Sequence, residues 1–198
     1  MLFRSGSVRR VDVITDRLVL HPVDRAEAQR IRDREPQPGD AWVDDYPFDG
    51  DITALTALLR ATQDGRDPRP FGYYQLRVQG TAVGGIGFFG PPEDGTVEVG
   101  YGLAPSARGH GYAAEALAAM CELAAGLGVT TLVARTEVGN EPSRTTLLRA
   151  GFTEQRVEDE TRHFTNRLGA GQPASARSIA AGLSTSSSAS SAQPRTPD

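Results

Sequence analysis

The chain has 198 residues, 38% of them hydrophobic, which is room for one domain with a genuine core plus a tail. A formal net charge of -4 argues against non-specific binding to nucleic acid or anionic lipid, and no apolar run approaches a membrane span. One cysteine, Cys121, excludes an internal disulfide, and the opening "MLFRSGSVRR" has no apolar segment after its arginines, so a cytoplasmic protein without an export signal is expected.

Residues 1–13 read as a flexible N-terminus. "TDRLVLHPV" (15–23) alternates Leu18 and Leu20 with polar neighbours and predicts a strand. "DRAEAQRIRDRE" (24–35) predicts a polar helix, stopped before Pro36 and Pro38. An acidic, aromatic and irregular stretch follows to residue 51, holding Trp42, Asp44, Asp45, Tyr46, Phe48 and Asp49. Residues 52–65 predict a second helix, with Ile52, Leu55, Leu58 and Leu59 on one face. Three strands are expected at 71–78, 81–90 and 96–103, separated by the Gln79–Gly80 turn and "PPEDG". Gly84, Gly85 and Gly87 point to a bulge or a close backbone approach within the second of these.

A third helix is expected near 111–126, with Leu117, Cys121, Ala124 and Leu127 at helical spacing and Glu115 and Glu122 on its wet side. Cys121 on that apolar face reads as core. A β-branched strand at 129–138, a short helix at 140–152 and strands near 153–159 and 162–168 complete the pattern. From residue 169 to 198 the composition turns to Gly, Ala, Ser, Pro and Gln, and a disordered tail is expected. His21, His110 and His163 are scattered without ligand spacing, so no metal is expected.

The segment "YGLAPSARGHGYAAEAL" admits two phosphate-binding readings. From Gly109 it passes the dinucleotide pattern G-x-G-x-x-G/A, and Glu137 lies roughly where a ribose-binding acid would sit. Several strands precede the motif, however, and too few elements follow it for a doubly wound sheet. The other reading begins at Arg108. Arg108, Gly109, Gly111 and Ala113 lie at the mouth of a helix, where small residues admit a ligand to unpaired backbone amides and the helix dipole favours an anion such as a pyrophosphate.

"EVGYGLAPSARGHGYAAEAL" resembles the acyl-CoA-binding segment of the GNAT N-acetyltransferases, whose Q/R-x-x-G-x-G/A pattern is met by Arg108, Gly111 and Ala113. "TDRLVLHPV" is similar to that family's first strand and "NEPSRTTLLRAGF" to its N-x-x-S…GF helix, so the resemblance covers roughly residues 14–168 and is nearest the RimJ/RimL-like branch. It implies an α/β (α+β) fold, a mixed and mostly antiparallel sheet of about seven strands flanked by about four helices. It also implies direct transfer of an acetyl group from acetyl-CoA, a co-substrate, to a primary amine, with no metal. The acceptor is a protein N-terminus or a small amine, aminoglycosides included, and a non-catalytic acyl-CoA-binding protein is the alternative. The oligomeric state is left open, a homodimer included.

The same resemblance carries pyrophosphate binding onto Arg108, Gly109, His110, Gly111, Tyr112 and Ala113. It carries pairing with the pantetheine arm onto Tyr101, Gly102 and Leu103, where an amide would polarise the thioester carbonyl. Asn140 contacts the cofactor in the family, and at a helix start two residues before Pro142 it is equally an N-cap. Glu98 alternates with Val97 and Val99 and faces opposite to them, and the resemblance places it beside the acceptor as the candidate base. Many relatives carry a tyrosine acid before the G-F pair. "TTLLRAGF" has none, which leaves Ser143 or water to protonate the departing thiolate. The carboxylates and aromatics of the 42–49 loop are expected to border the acceptor and favour a cationic amine.

Overall fold

The computed structural model describes residues 11–169, so the expected tail beyond Gly169 and the first ten residues lie outside the described part. Eight strands form one sheet, β1 (Val13–Ile14), β2 (Leu18–Pro22), β3 (Tyr73–Val78), β4 (Thr81–Phe88), β5 (Thr96–Leu103), β6 (Thr131–Glu137), β7 (Thr153–Glu158) and β8 (Thr161–Arg167). Their spatial order is β1-β2-β3-β4-β5-β6-β8-β7, antiparallel everywhere except β5 against β6. The eighth strand is β1, which lies in part within the stretch expected to be flexible. Val13 pairs with Leu20, and Asp12 accepts a 2.7 Å contact from His21.

Among the described residues four helices flank the sheet, α1 (Arg25–Asp33), α2 (Asp49–Ala61), α3 (Tyr112–Gly126) and α4 (Glu141–Arg149). A capping box starts α1: the Asp24 side chain accepts from the Glu27 amide, and Glu27 accepts from the Asp24 amide, both at 2.8 Å. Helix α2 begins at Asp49 rather than near 52, because its first turn needs no apolar residue. Gly111, with φ of 79°, is the N-cap of α3. The Asn140 side chain caps α4, accepting from the Ser143 amide at 3.1 Å.

Apolar residues pack on both faces. Leu117 and Met120 of α3 and Leu147 of α4 cover Leu20, Ile86, Val99, Leu132 and Phe164, while Ile31 of α1 and Leu55 and Leu59 of α2 pack with Tyr46 and Tyr73. Leu127, expected on the apolar face, is exposed, and Met120 takes the core position. Among the described residues no helix is long and apolar enough to cross a membrane.

Candidate active site

Strands β5 and β6 pair at Thr96–Thr131, Val97–Leu132 and Glu98–Val133, and no pair follows. Each then continues with its outer neighbour, β5 with β4 as far as Leu103–Gly84 and β6 with β8 as far as Glu137–Thr161. The sheet therefore forks at Glu98. Phe89 donates to the Glu98 carbonyl at 3.0 Å and Ala104 to the Val83 carbonyl at 2.9 Å, so the even-numbered residues of β5 turn their backbone groups toward β4. By alternation, the N–H and C=O groups of Tyr101 and Leu103 point into the open side of the fork. The Leu103 carbonyl accepts there from Arg108 Nε at 3.1 Å.

A cavity of about 640 Å³ occupies the fork and reaches both faces of the sheet. Tyr101, Ala134 and Ser143 line it on the α4 side; Asp51, Phe48 and Gly102 line it on the α2 side. On the α4 side, the Tyr101 hydroxyl lies 3.0 Å from Ser143 Oγ and 3.2 Å from the Ser143 carbonyl. Burial raises the Tyr101 pKa and keeps the phenol protonated. At the apex Glu98 is gripped by Arg135 at both oxygens, Nε to Oε1 at 2.9 Å and Nη2 to Oε2 at 2.6 Å.

The α2 side has a floor of bare backbone. A Cβ on Gly102 would fall 2.2 Å from Phe48 Cζ, and one on Gly100 2.7 Å from Phe89 Cε2. One on Gly85 would collide with the Tyr73 hydroxyl, which answers the close approach expected of that glycine run. Tyr73 donates to Asp51 Oδ1 at 2.8 Å. The Tyr46 hydroxyl is 3.3 Å from that of Tyr73, Gln75 Nε2 donates to Tyr46 at 3.2 Å, and Arg77 Nε donates to Gln75 Oε1 at 2.7 Å. Asp51 is 3% exposed, and burial pushes its pKa up to about 7 against the opposing Tyr73 and Phe48 hydrogen bonds.

The Gly109–Ala113 segment lies at the mouth of α3, with Gly109 at φ 80° and Gly111 at φ 79°. These left-handed turns bring the segment into the first turn of α3, where the leading amides have no acceptor inside the helix. Arg17 braces this mouth. Its Nη1 donates to the His110 carbonyl at 2.8 Å and its Nε to Glu115 at 2.7 Å, while the guanidinium stands 5.0 Å above the Tyr112 ring. Glu115, expected on the wet side, is consumed by this contact and by Thr15 at 2.5 Å. The side chain of His110 stacks on Tyr112.

Glu98, Tyr101, Gly102 and Ser143 are thus brought together around one cavity, with the Arg108–Ala113 segment and Asn140 set apart from its lining. Of the aromatic loop, Phe48 alone reaches the lining. Asp45 is tied to Ser106 by hydrogen bonds of 2.8 and 2.6 Å, and Trp42 packs edge-on against Tyr46. Asp51, Tyr73, Arg135 and Arg17 were absent from the sequence-based candidates. A carboxylate in the first turn of α2 is a signal that could have drawn attention to Asp51.

A family profile described as an acetyltransferase (GNAT) domain matches residues 17–153, well over half of the chain. Among curated proteins no relative matches by sequence. Solved structures share the fold at low identity. An acetyltransferase from Agrobacterium tumefaciens is 23% identical over 83% of this chain and 99% of its own, with a TM-score of 0.57. The ribosomal-protein alpha-N-acetyltransferase RimL in complex with coenzyme A is 16% identical over 80% of this chain and 98% of its own, with a TM-score of 0.59. A spermidine N-acetyltransferase chimera from Vibrio cholerae is 12% identical over 77% of this chain and 96% of its own, with a TM-score of 0.57.

Proposed function

The chain belongs to the GNAT acetyltransferase family and is an acyltransferase, and from that premise we propose that it transfers an acetyl group from acetyl-CoA directly to a primary amine, either a peptide N-terminus or a small molecule. The fork beyond Glu98 carries this reading, because it leaves the N–H and C=O of Tyr101 and the N–H of Leu103 without a strand partner beside a cavity that joins both faces of the sheet. An extended amide-bearing arm fits such an edge as a strand would. Arg108, Gly109, His110, Gly111, Tyr112 and Ala113 hold the pyrophosphate, mainly through helix-start amides. Arg17 keeps that mouth in shape, the missing side chain of Gly102 lets the Phe48 ring pack directly on β5, and Asn140 fixes the start of α4. A cytoplasmic setting fits the single cysteine.

In the transfer, the amine lone pair bonds to the acyl carbon as the C–S bond breaks, and the sulfur leaves as a thiolate that must be protonated. Ser143 and Tyr101 supply that proton from their shared hydrogen bond on the α4 side. An Leu103 amide directed into the fork is placed to polarise the carbonyl. Proton removal from the amine falls to a carboxylate of the cavity, Glu98 or Asp51.

Thiol release from acetyl-CoA, measured with a seryl peptide, spermidine and kanamycin in turn, tests the reading. Amine-dependent release with acetylated product is expected. Tight CoA binding without transfer to any acceptor would instead favour a non-catalytic acyl-CoA-binding role.

A further inference from the structure

Three carboxylates line the cavity, Asp51, Asp67 and Glu98. Asp67 is paired with Arg69 through both of its oxygens, and the surroundings of the other two set them apart. Glu98 faces a guanidinium that engages both of its oxygens, Arg135 Nε at Oε1 and Nη2 at Oε2. Among the described residues no guanidinium engages the oxygens of Asp51 in this way. Its Oδ1 accepts from Tyr73, and its Oδ2 meets the Phe48 amide at 3.3 Å. The remaining charged groups around it are Arg34 at the end of α1, Asp49 on its own helix, Arg66, Asp67 and Arg69 after α2, and the Glu98–Arg135 pair across the cavity.

The hydrogen bonds behind Asp51 have one direction. The Gln75 amide can only donate to Tyr46 through Nε2, so the Tyr46 proton goes to Tyr73 and the Tyr73 proton goes to Asp51. Arg77, a cation, anchors the far end on Gln75 Oε1. Every dipole in the chain points its positive end at the Asp51 carboxylate, and burial keeps both phenols protonated. The chain supports the charged form at Oδ1 and leaves Oδ2 to receive a proton without rearranging any hydroxyl.

We propose that Asp51 is the general base of the transfer, taking a proton from the ammonium form of the acceptor amine. This rests on the acetyltransferase reading above. The ammonium gives one proton to Oδ2 and becomes a neutral amine. The amine nitrogen bonds to the acyl carbon, the C–S bond breaks, the thiolate takes a proton from the Tyr101–Ser143 pair, and the second amine proton passes through water to restore that pair. Asp51 then returns its proton to water, so each turnover releases one proton with the amide and the thiol.

Kinetics of wild type, Asp51→Asn, Tyr73→Phe and Glu98→Gln against pH test the assignment, with acetyl-CoA saturating and whichever of the seryl peptide, spermidine or kanamycin the wild type acetylates. Asp51 must be ionised to act, so wild-type kcat/KM is expected to fall as pH drops below about 7. Asp51→Asn is expected to lose about 100-fold or more at neutral pH and to lose that acid limb. Tyr73→Phe removes a hydrogen bond to the charged form, so its limb is expected at higher pH with the plateau largely kept. Glu98→Gln is expected to keep the limb in place. An Asp51→Asn enzyme within a few-fold of wild type and with the same limb overturns the proposal. Should that variant misfold, an unshifted limb in Tyr73→Phe overturns it. A wild type that acetylates none of the acceptors overturns the acetyltransferase reading itself, and this role with it.

Discussion

Arg135 holds both carboxylate oxygens of Glu98 at the point where β5 and β6 part, with contacts of 2.9 and 2.6 Å. The pair clamps the last residue of β5 that still has a partner in β6 to a residue of β6 already beyond the pairing. Because the guanidinium is more than half exposed, the pair adds little to stability, under about 1 kcal/mol. Arg135→Gln is therefore expected to shift the urea midpoint slightly while raising the KM for acetyl-CoA several-fold through a looser fork. Denaturation and steady-state kinetics on the same preparation check both halves.

Asp51 makes the fold sensitive to pH in an unusual direction. An unfolded aspartate ionises near 3.8, whereas Asp51 in the fold ionises near about 7. The folded state thus holds the extra proton between those values, and stability falls as pH rises through that window. Above it the full cost is about 4 kcal/mol at most. Asp51→Asn carries no charge to bury, so it is expected to melt higher than wild type at about pH 8 and to lose that advantage near about pH 4. Thermal melts across the range check the sign.

Gly102 leaves no room for a side chain beneath Phe48, whose Cζ would stand 2.2 Å from an added Cβ. Gly102→Ala must tilt that ring into the cavity, at a cost of about 1–3 kcal/mol. Its expected signature is a raised KM for the amine acceptor, with CoA affinity altered far less. Calorimetric titration with CoA alongside acceptor kinetics separates the two.

Tyr101 and Ser143 share one hydrogen bond, so their substitutions are not independent. Tyr101→Phe is expected to lower kcat by about 10- to 100-fold, with a smaller fall for Ser143→Ala. The double variant should lose less than the product of the two, which a kinetic double-mutant cycle measures.

Arg17 contributes at the mouth of α3 through the His110 carbonyl, Glu115 and the Tyr112 ring. Arg17→Ala is expected to weaken CoA binding several-fold and to leave dephosphorylated pantetheine analogues less affected. Competition titrations with both ligands check this.

The sequence made the element order legible because each element announces itself locally. Alternation in "TVEVGYGL" set Glu98 opposite Val97 and Val99, and the glycines at 109 and 111 marked the start of α3. Asp51 gives no such signal, because apolar periodicity in α2 begins only at Ile52 and the polar Asp49–Asp51 turn has the composition of the loop before it. Arg17 and Arg135 give none for another reason. Their partners Glu115 and Glu98 lie 98 and 37 residues away, and no local period encodes a pairing of that range. The loop acids Asp44 and Asp45 drew attention through composition, yet the position of Ser106 turned Asp45 away from the cavity.

The bare strip along β4 and β5 has a consequence for how such a pocket can change. Where those strands carry glycine, three rings from separate parts of the chain, Phe48, Tyr73 and Phe89, supply the surface instead. The shape offered to an acceptor is therefore written on the segment leading into α2, on β3 and on the turn after β4, while the strip beneath serves as a blank mounting plate. A library confined to positions 48 and 89 can redraw that shape without disturbing the register of any strand, and the reactive fork behind it stays where it is.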